Sequence, residues 1–365
     1  MLHALLPLLM AKLLLVQNVY AGPADTDPLF TVTPYGFIIP GFSYIQDDPE
    51  ALTAQDGFTL AARLGLESRL QVGKTPGVIA ARIEVDLTPA PLLKDAVLSY
   101  RLASFIRIDA GQFKVPYGLG YLAADTRRLL PATPLIYNDM TARDMGLMVT
   151  ASLPIQKKTW ASAQLAVFNG EGANRIQNVN QKLLYAVRGT FTPFGARDRI
   201  FEGPDGATYL GIGGGWMYNL LGAEESAEEI NQYQGELQFS WNVLSLQGEY
   251  LFGEHAFTNG SVQDYRQIGW YGTLGCVIPA PWVREHIQLV GRYAQAEPDD
   301  AVEGDFAGQV APNSEEITGG LNLYWVGPPR PFHDMKLQLA YSTFRELEGS
   351  KFMNDRFTAA ATVRF

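Results

Sequence analysis

Cysteine is almost absent from this 365-residue chain, where Cys276 stands alone. No intrachain disulfide can form, so a secreted scaffold held by disulfides is excluded. Beyond Ala21 no window offers the roughly 18 or more unbroken apolar residues of a membrane helix. Positive charge is in deficit, with 28 Lys and Arg against 38 Asp and Glu and a formal net charge of −10. That balance speaks against a nucleic-acid partner, which needs a basic surface to neutralise phosphates. Histidines are few and scattered, at His3, His255, His286 and His333. Walker, HExxH, CxxC and GxSxG motifs are missing, and GIGGGW (Gly211–Trp216) lacks the third glycine of a dinucleotide fingerprint. Without a convergent constellation, neither catalysis nor a metal nor a cofactor is expected.

The first 21 residues, MLHALLPLLMAKLLLVQNVYA, form an apolar run closing on the small-x-small pattern Val19-Tyr20-Ala21. They read as a secretory signal cut after Ala21, leaving 22–365 as one mature domain. Pro7, Lys12 and Gln17-Asn18 shorten the run below the roughly 20 residues of a membrane anchor.

What the chain does have is alternation, 17 Tyr, 19 Phe and 36 Gly. Phe58, Leu60, Ala62, Leu64 and Leu66 share one parity, and Thr59, Arg63, Glu67 and Arg69 the other. The pattern predicts strands near 31–45, 57–71, 77–87, 94–102, 104–113, 143–152, 159–169, 182–192, 208–218, 231–241, 243–253, 264–276, 286–296, 315–326, 334–345 and 355–365. About sixteen strands, most of them near or above the 9–11 residues a tilted membrane strand needs, point to an all-β transmembrane antiparallel barrel. Tyr233, Trp241, Tyr250, Phe252, Trp270 and Tyr341 fall on the apolar parity, as in an aromatic girdle. The opposite parity carries Gln234, Glu236, Gln238, Gln247, Glu249 and Gln338. A polar inside and an apolar outside is the pattern of a barrel in lipid, whereas a small soluble barrel is filled with apolar side chains.

Short turns should alternate with long outer loops. Two connections depart from this scheme, the long one near 193–207 and the short one near 88–93. The longest, from Lys114 to Arg143, is rich in Leu, Ile and Tyr, which predicts that it folds into the lumen. Within RLASFIRIDAGQFKVPYGLGYL, strict alternation would send Gln112 and Lys114 into lipid, so the register should break at Gly111. The run AEESAEE (Ala223–Glu229) reads as a solvated loop, and the inward-facing Gly146, Ala166, Gly269, Gly320 and Ala360 argue against a plugged lumen.

The chain ends RFTAAATVRF on Phe365, resembling the terminal strand that outer-membrane barrels present to their assembly machinery. LLKDAVLSYRL (Leu92–Leu102), IRIDAGQFKVPYGLGYL, ARDMGLMVTA (Ala142–Ala151) and LAVFNGEGAN (Leu165–Asn174) resemble segments of the phosphate-selective porin O and P family. The resemblance implies a sixteen-stranded porin of the bacterial outer membrane with an inward third loop. It also implies a homotrimer in contact with lipid and lipopolysaccharide that passes small anions such as phosphate. Arginine suits an anion path because its planar fork bonds two oxygens and stays charged. Candidate pore-lining residues are Arg63, Arg69, Arg82, Arg101 and Arg107 on the early strands, with Lys114, Arg127, Arg128 and Arg143 around the long loop. Glu67, Glu84, Asp86 and Asp109 share those faces, so a ladder of ion pairs with little selectivity is the competing reading. An outer-membrane barrel enzyme, a soluble periplasmic all-β binding protein and a structural barrel without conductance are the rivals from other classes.

Overall fold

A computed structural model describes residues 30–46, 57–72, 77–89, 92–137, 143–156, 159–194, 208–222, 228–257, 264–280, 283, 286–298, 313–325, 335–347 and 354–365. The signal segment 1–21 lies outside these, as do 195–207 of the long connection and 223–227 of the acidic run.

The strands are β1 (Phe30–Ile45), β2 (Gly57–Gln71), β3 (Val78–Asp86), β4 (Leu92–Ala103), β5 (Ile106–Lys114), β6 (Arg143–Gln156), β7 (Thr159–Phe168) and β8 (Leu184–Thr192). They continue as β9 (Tyr209–Leu221), β10 (Glu228–Trp241), β11 (Leu244–Phe257), β12 (Tyr265–Val277), β13 (Ile287–Pro298), β14 (Ser314–Tyr324), β15 (Met335–Glu346) and β16 (Arg356–Arg364). Every strand expected from alternation is present. All pair antiparallel with their sequence neighbours, and β1 closes onto β16 with Ile38 opposite Val363 and Tyr44 opposite Phe357. Closure matters because hydrocarbon offers no partner to a free N–H or C=O, so a sheet can cross it only without edges. No helix among the described residues is long and apolar enough to cross a membrane.

The two parities have opposite environments. On β10, Tyr233, Leu237 and Trp241 are 45%, 37% and 57% exposed, while Gln234, Glu236 and Ser240 are 7%, 8% and 2% exposed. The outward apolar residues are those lipid would cover, and the buried ones are polar. Tyr250, Trp270 and Tyr341 are likewise exposed.

The short connection after β3 has a structural cause. β3 stops at Asp86, opposite Arg63, and so never reaches the outer end of β2. There Leu87 donates to the Ala62 carbonyl and Thr88 Oγ1 accepts from Ala62 N–H at 3.2 Å, so the chain turns back below the rim. His255, beyond the strand expected over 243–253, is part of β11; its Nδ1 lies 2.7 Å from Glu228 and its ring stacks on Tyr265. The last two residues of the acidic run, Glu228 and Glu229, begin β10 rather than belonging to a loop.

Gly111 has φ +124°, a conformation that L side chains rarely adopt, while β5 keeps its pairing with both neighbours. The turn brings Gln112 inside, where it is 2% exposed and donates to the Leu93 and Lys94 carbonyls at 2.8 and 3.1 Å. A Cβ at Gly111 would lie 2.0 Å from the Ala96 carbonyl oxygen. Gly111→Ala is therefore expected to destabilise the refolded barrel by on the order of 1–3 kcal/mol. The check is the denaturant midpoint, which must fall; an unchanged midpoint would show that the conformation is not required.

Candidate functional site

The segment between β5 and β6 lies against the inner wall, described as far as Tyr137. Its apolar side chains find apolar seats. Tyr117, Leu119, Ile136 and Tyr137 pack with Met217, Leu251, Tyr271 and Ala294 of the wall, and Leu129 and Leu130 pack with Val290 and Ala340. Glycines make the room: a Cβ at Gly269 would lie 3.0 Å from Ile136, and one at Gly320 would lie 2.6 Å from Leu130. This revises the meaning of the small inward residues. Gly269 and Gly320 are sockets for the loop, and Gly146 faces Phe168, so none of the three marks open lumen.

The loop's peptide groups are matched by polar side chains of the wall. Arg292 Nη1 donates to the Ala132 carbonyl at 2.8 Å, and Glu316, itself bonded to Arg292 Nε at 2.8 Å, accepts from Leu135 N–H at 3.2 Å. Lys336 donates to the Arg128 carbonyl at 2.5 Å, while Asn322 and Gln338 both donate to that of Leu129 at 2.9 Å. Gln234 accepts from Gly118 N–H at 2.6 Å. Glu249 accepts from Leu119 N–H at 3.0 Å and from the Tyr137 hydroxyl. Desolvation, followed by the Glu249 charge, pushes the Tyr137 hydroxyl well above its ordinary pKa, so it remains a donor. A short helix, α1 (Leu119–Leu122), and single 3-10 turns at Asp125–Arg127 and Leu135–Tyr137 complete the segment.

The motif stretches meet where the loop leaves and rejoins the wall. Gln112 Oε1 accepts from Asn174 N–H at 2.7 Å, and the fully buried Asp144 accepts from Gly170 N–H at 2.6 Å. Gly170 has φ +89°, which suits glycine there. Those residues therefore frame the root of the loop.

Most of the candidate cations carry carboxylate partners. Arg63 contacts Asp86 at 3.1 Å, Glu84 at 3.6 Å and Asp125 at 2.6 Å. Arg82 and Arg143 share Asp95, each at 3.0 Å. Arg128 meets Asp125 at 3.0 Å, Arg69 meets Glu67 at 2.7 Å and Arg107 meets Asp109 at 2.9 Å. Lys114 ends β5 opposite Arg143. Its Nζ points inward and donates to the Tyr121 and Ala123 carbonyls at 2.5 and 2.9 Å, so it does not snorkel to the membrane surface. Arg127 sits half-buried in a 3-10 turn. Arg101 is exposed opposite Arg107 and has no ion-pair partner among the described residues. The structure thus gathers Arg63, Lys114, Arg128 and Arg143, with Arg82 joined through Asp95. It leaves Arg69, Arg101 and Arg107 nearer the end of the wall where β4 turns into β5.

Lys94, Asp95 and Asp125 also belong to this cluster, although alternation did not single them out. Asp95 shares its parity with Arg101, a signal present in the sequence. Lys94 turns inward at a register shift between Glu84 and Val85 and lies 3.6 Å from Asp86. Asp125 is a loop residue without strand parity. Burial pushes its carboxyl up, but Arg128, Arg63, Lys114 and Arg143 hold it well below the ordinary carboxylate range. It therefore stays ionised as pH falls through that range.

The family model described as Phosphate-selective porin O and P matches residues 56–201 and bears out the resemblance read from the motifs. An anion-selective porin from Comamonas acidovorans has a similar fold, with TM-score 0.63 and 12% identity over 92% of this chain and 99% of that one. OmpT of Vibrio cholerae in its trimer form gives 0.61 and 11% over 92% and 99%. The outer-membrane channel DcaP of Acinetobacter baumannii gives 0.57 and 14% over 92% and 97%. At these identities the likeness is one of fold. A comparison with curated proteins found no match. The porin-family match, the closed barrel and its apolar exterior make this a bacterial outer-membrane channel protein.

The lodged loop carries a direct test. In Gly320→Leu the new side chain competes with Leu130 for its seat. Trypsin is expected to cut after Arg127 or Arg128 several-fold faster in this variant than in the refolded parent, because local release exposes the segment. Equal cleavage rates would mean that the seat does not hold the loop.

Proposed function

We propose that the chain is a passive diffusion channel for small hydrophilic solutes whose conducting space runs between the lodged loop and the β2–β6 wall. It would have a weak preference for small anions, phosphate or a similar oxyanion among them. The observation that carries this reading is an imbalance of charge. On that side Arg63, Arg82, Lys94, Arg128 and Arg143 share only Glu84, Asp86, Asp95 and Asp125. On the opposite wall Arg188 pairs with Glu236 and Arg292 with Glu316, each one to one. A surplus of fixed cations beside water attracts anions and repels cations, and low-dielectric walls focus the effect.

Toward the β4–β5 turn the Arg69 and Arg107 side chains are 63% and 46% exposed, and that of Arg82 farther along the wall is 45% exposed, leaving them within reach of a passing ion. Their carboxylate partners support a second reading, a general porin with little selectivity. Transport would be downhill and need no cofactor. Homotrimeric assembly, contact with lipid and lipopolysaccharide, export through residues 1–21 and handling by the barrel assembly machinery through the strand ending in Phe365 complete the proposal. The trimer form of OmpT supports the first of these.

Neutralising Arg82, Arg101 and Arg107 together by Arg→Gln is expected to lower the anion-to-cation permeability ratio. The measurement is the reversal potential across a potassium chloride gradient in a planar bilayer. A potential equal to that of the parent would count against an anion path along this wall.

A further inference from the structure

The cations at the root of the loop are not vacant, since a carboxylate of the chain already lies between them. One oxygen of Asp125 is 2.6 Å from Arg63 Nη2 and the other is 3.0 Å from Arg128 Nη2. Each oxygen is thus held by a different guanidinium, as the oxygens of a bound oxyanion would be. Arg63 is otherwise engaged with Asp86 and Glu84. Arg128 is not, because its Nε is buried with no acceptor among the described residues. A two-oxygen carboxylate leaves that donor unused, whereas an anion with three or four oxygens could reach it.

The loop has anchors to the wall other than Asp125. The loop hangs on its carbonyls at Arg128, Leu129, Ala132 and Thr133 and on the donors at Leu119 and Leu135, all matched by β11 and β13–β15. Removing the Asp125 charge should therefore leave the loop seated and raise the local charge by one.

We propose that Asp125 is a specificity-determining residue, a tethered carboxylate that occupies the oxyanion seat of Arg63 and Arg128. It thereby keeps the affinity for free oxyanions low and transport weakly selective. The proposal rests on the anion-channel reading above, but the seat can be tested without any current.

The experiment is equilibrium binding of inorganic phosphate to the refolded, detergent-solubilised barrel, as the parent, Asp125→Asn and Asp125→Asn/Arg128→Gln. Asparagine keeps the size of the side chain and removes its charge. Asp125→Asn is expected to bind phosphate about tenfold or more tighter than the parent, the change that one charge-assisted hydrogen bond supplies. The double variant should lose that gain. Asp125→Asn binding no tighter than the parent, or a gain that survives Arg128→Gln, would overturn the proposal. Planar-bilayer currents from the same proteins separate the two layers: a gain in phosphate binding from a barrel that passes no current would sink the channel reading and leave the seat standing.

Discussion

A peptide segment placed inside a barrel must find partners for its N–H and C=O groups, and the lumen wall of β10–β15 is built to supply them. Arg292 and Glu316 act as one unit, the guanidinium holding the carboxylate and both reaching the loop. Asn322, Lys336 and Gln338 take successive carbonyls, and Glu249 takes a peptide N–H and a phenol. Buried polar groups are costly unless paired, so each side would destabilise the barrel without the other. The glycine sockets, the polar parity of these strands and the position of the loop cations all follow from this match.

Because the loop covers the β10–β15 side, the proposed solute path is left with the chemistry of the opposite wall and of the loop edge facing it. There the charges form a chain rather than a row of isolated arginines. Arg143 and Arg82 meet at Asp95, Arg63 bridges Asp86 and Asp125, and Asp125 passes the chain on to Arg128. Such pairing lowers the field seen by an ion without abolishing it, since the cations outnumber their partners. On the anion-channel reading proposed above, selectivity would be set by which carboxylates accompany the arginines as much as by the arginines themselves.

The barrel was legible in the sequence because period two, repeated over every strand, leaves one face apolar and the other polar. The change of facing at Gly111 was legible for the same reason, as the residues beyond it would otherwise have entered lipid, although the pairing register runs through it unbroken. The partners of the arginines were only half legible. Glu67, Glu84, Asp86 and Asp109 lie on readable strand parities, and the structure pairs them with Arg69, Arg63 and Arg107. Asp125 sits in a loop that has no parity, and Lys94 at a register shift that cancels it. The inward glycines show the limit most clearly, because alternation reveals that a position faces inside and not whether water or Leu130 fills the space beyond.

The most direct test of the account is the thiol accessibility of the two inner walls. Single cysteines would replace Ser99 on the open side and Thr318 beneath the loop, in a chain whose own Cys276 is changed to Ser. A charged, water-soluble thiol reagent applied to the folded barrel should modify the cysteine at 99 and change the current, and should leave the one at 318 unmodified. Modification of both at similar rates would contradict a conducting space confined to the β2–β6 wall.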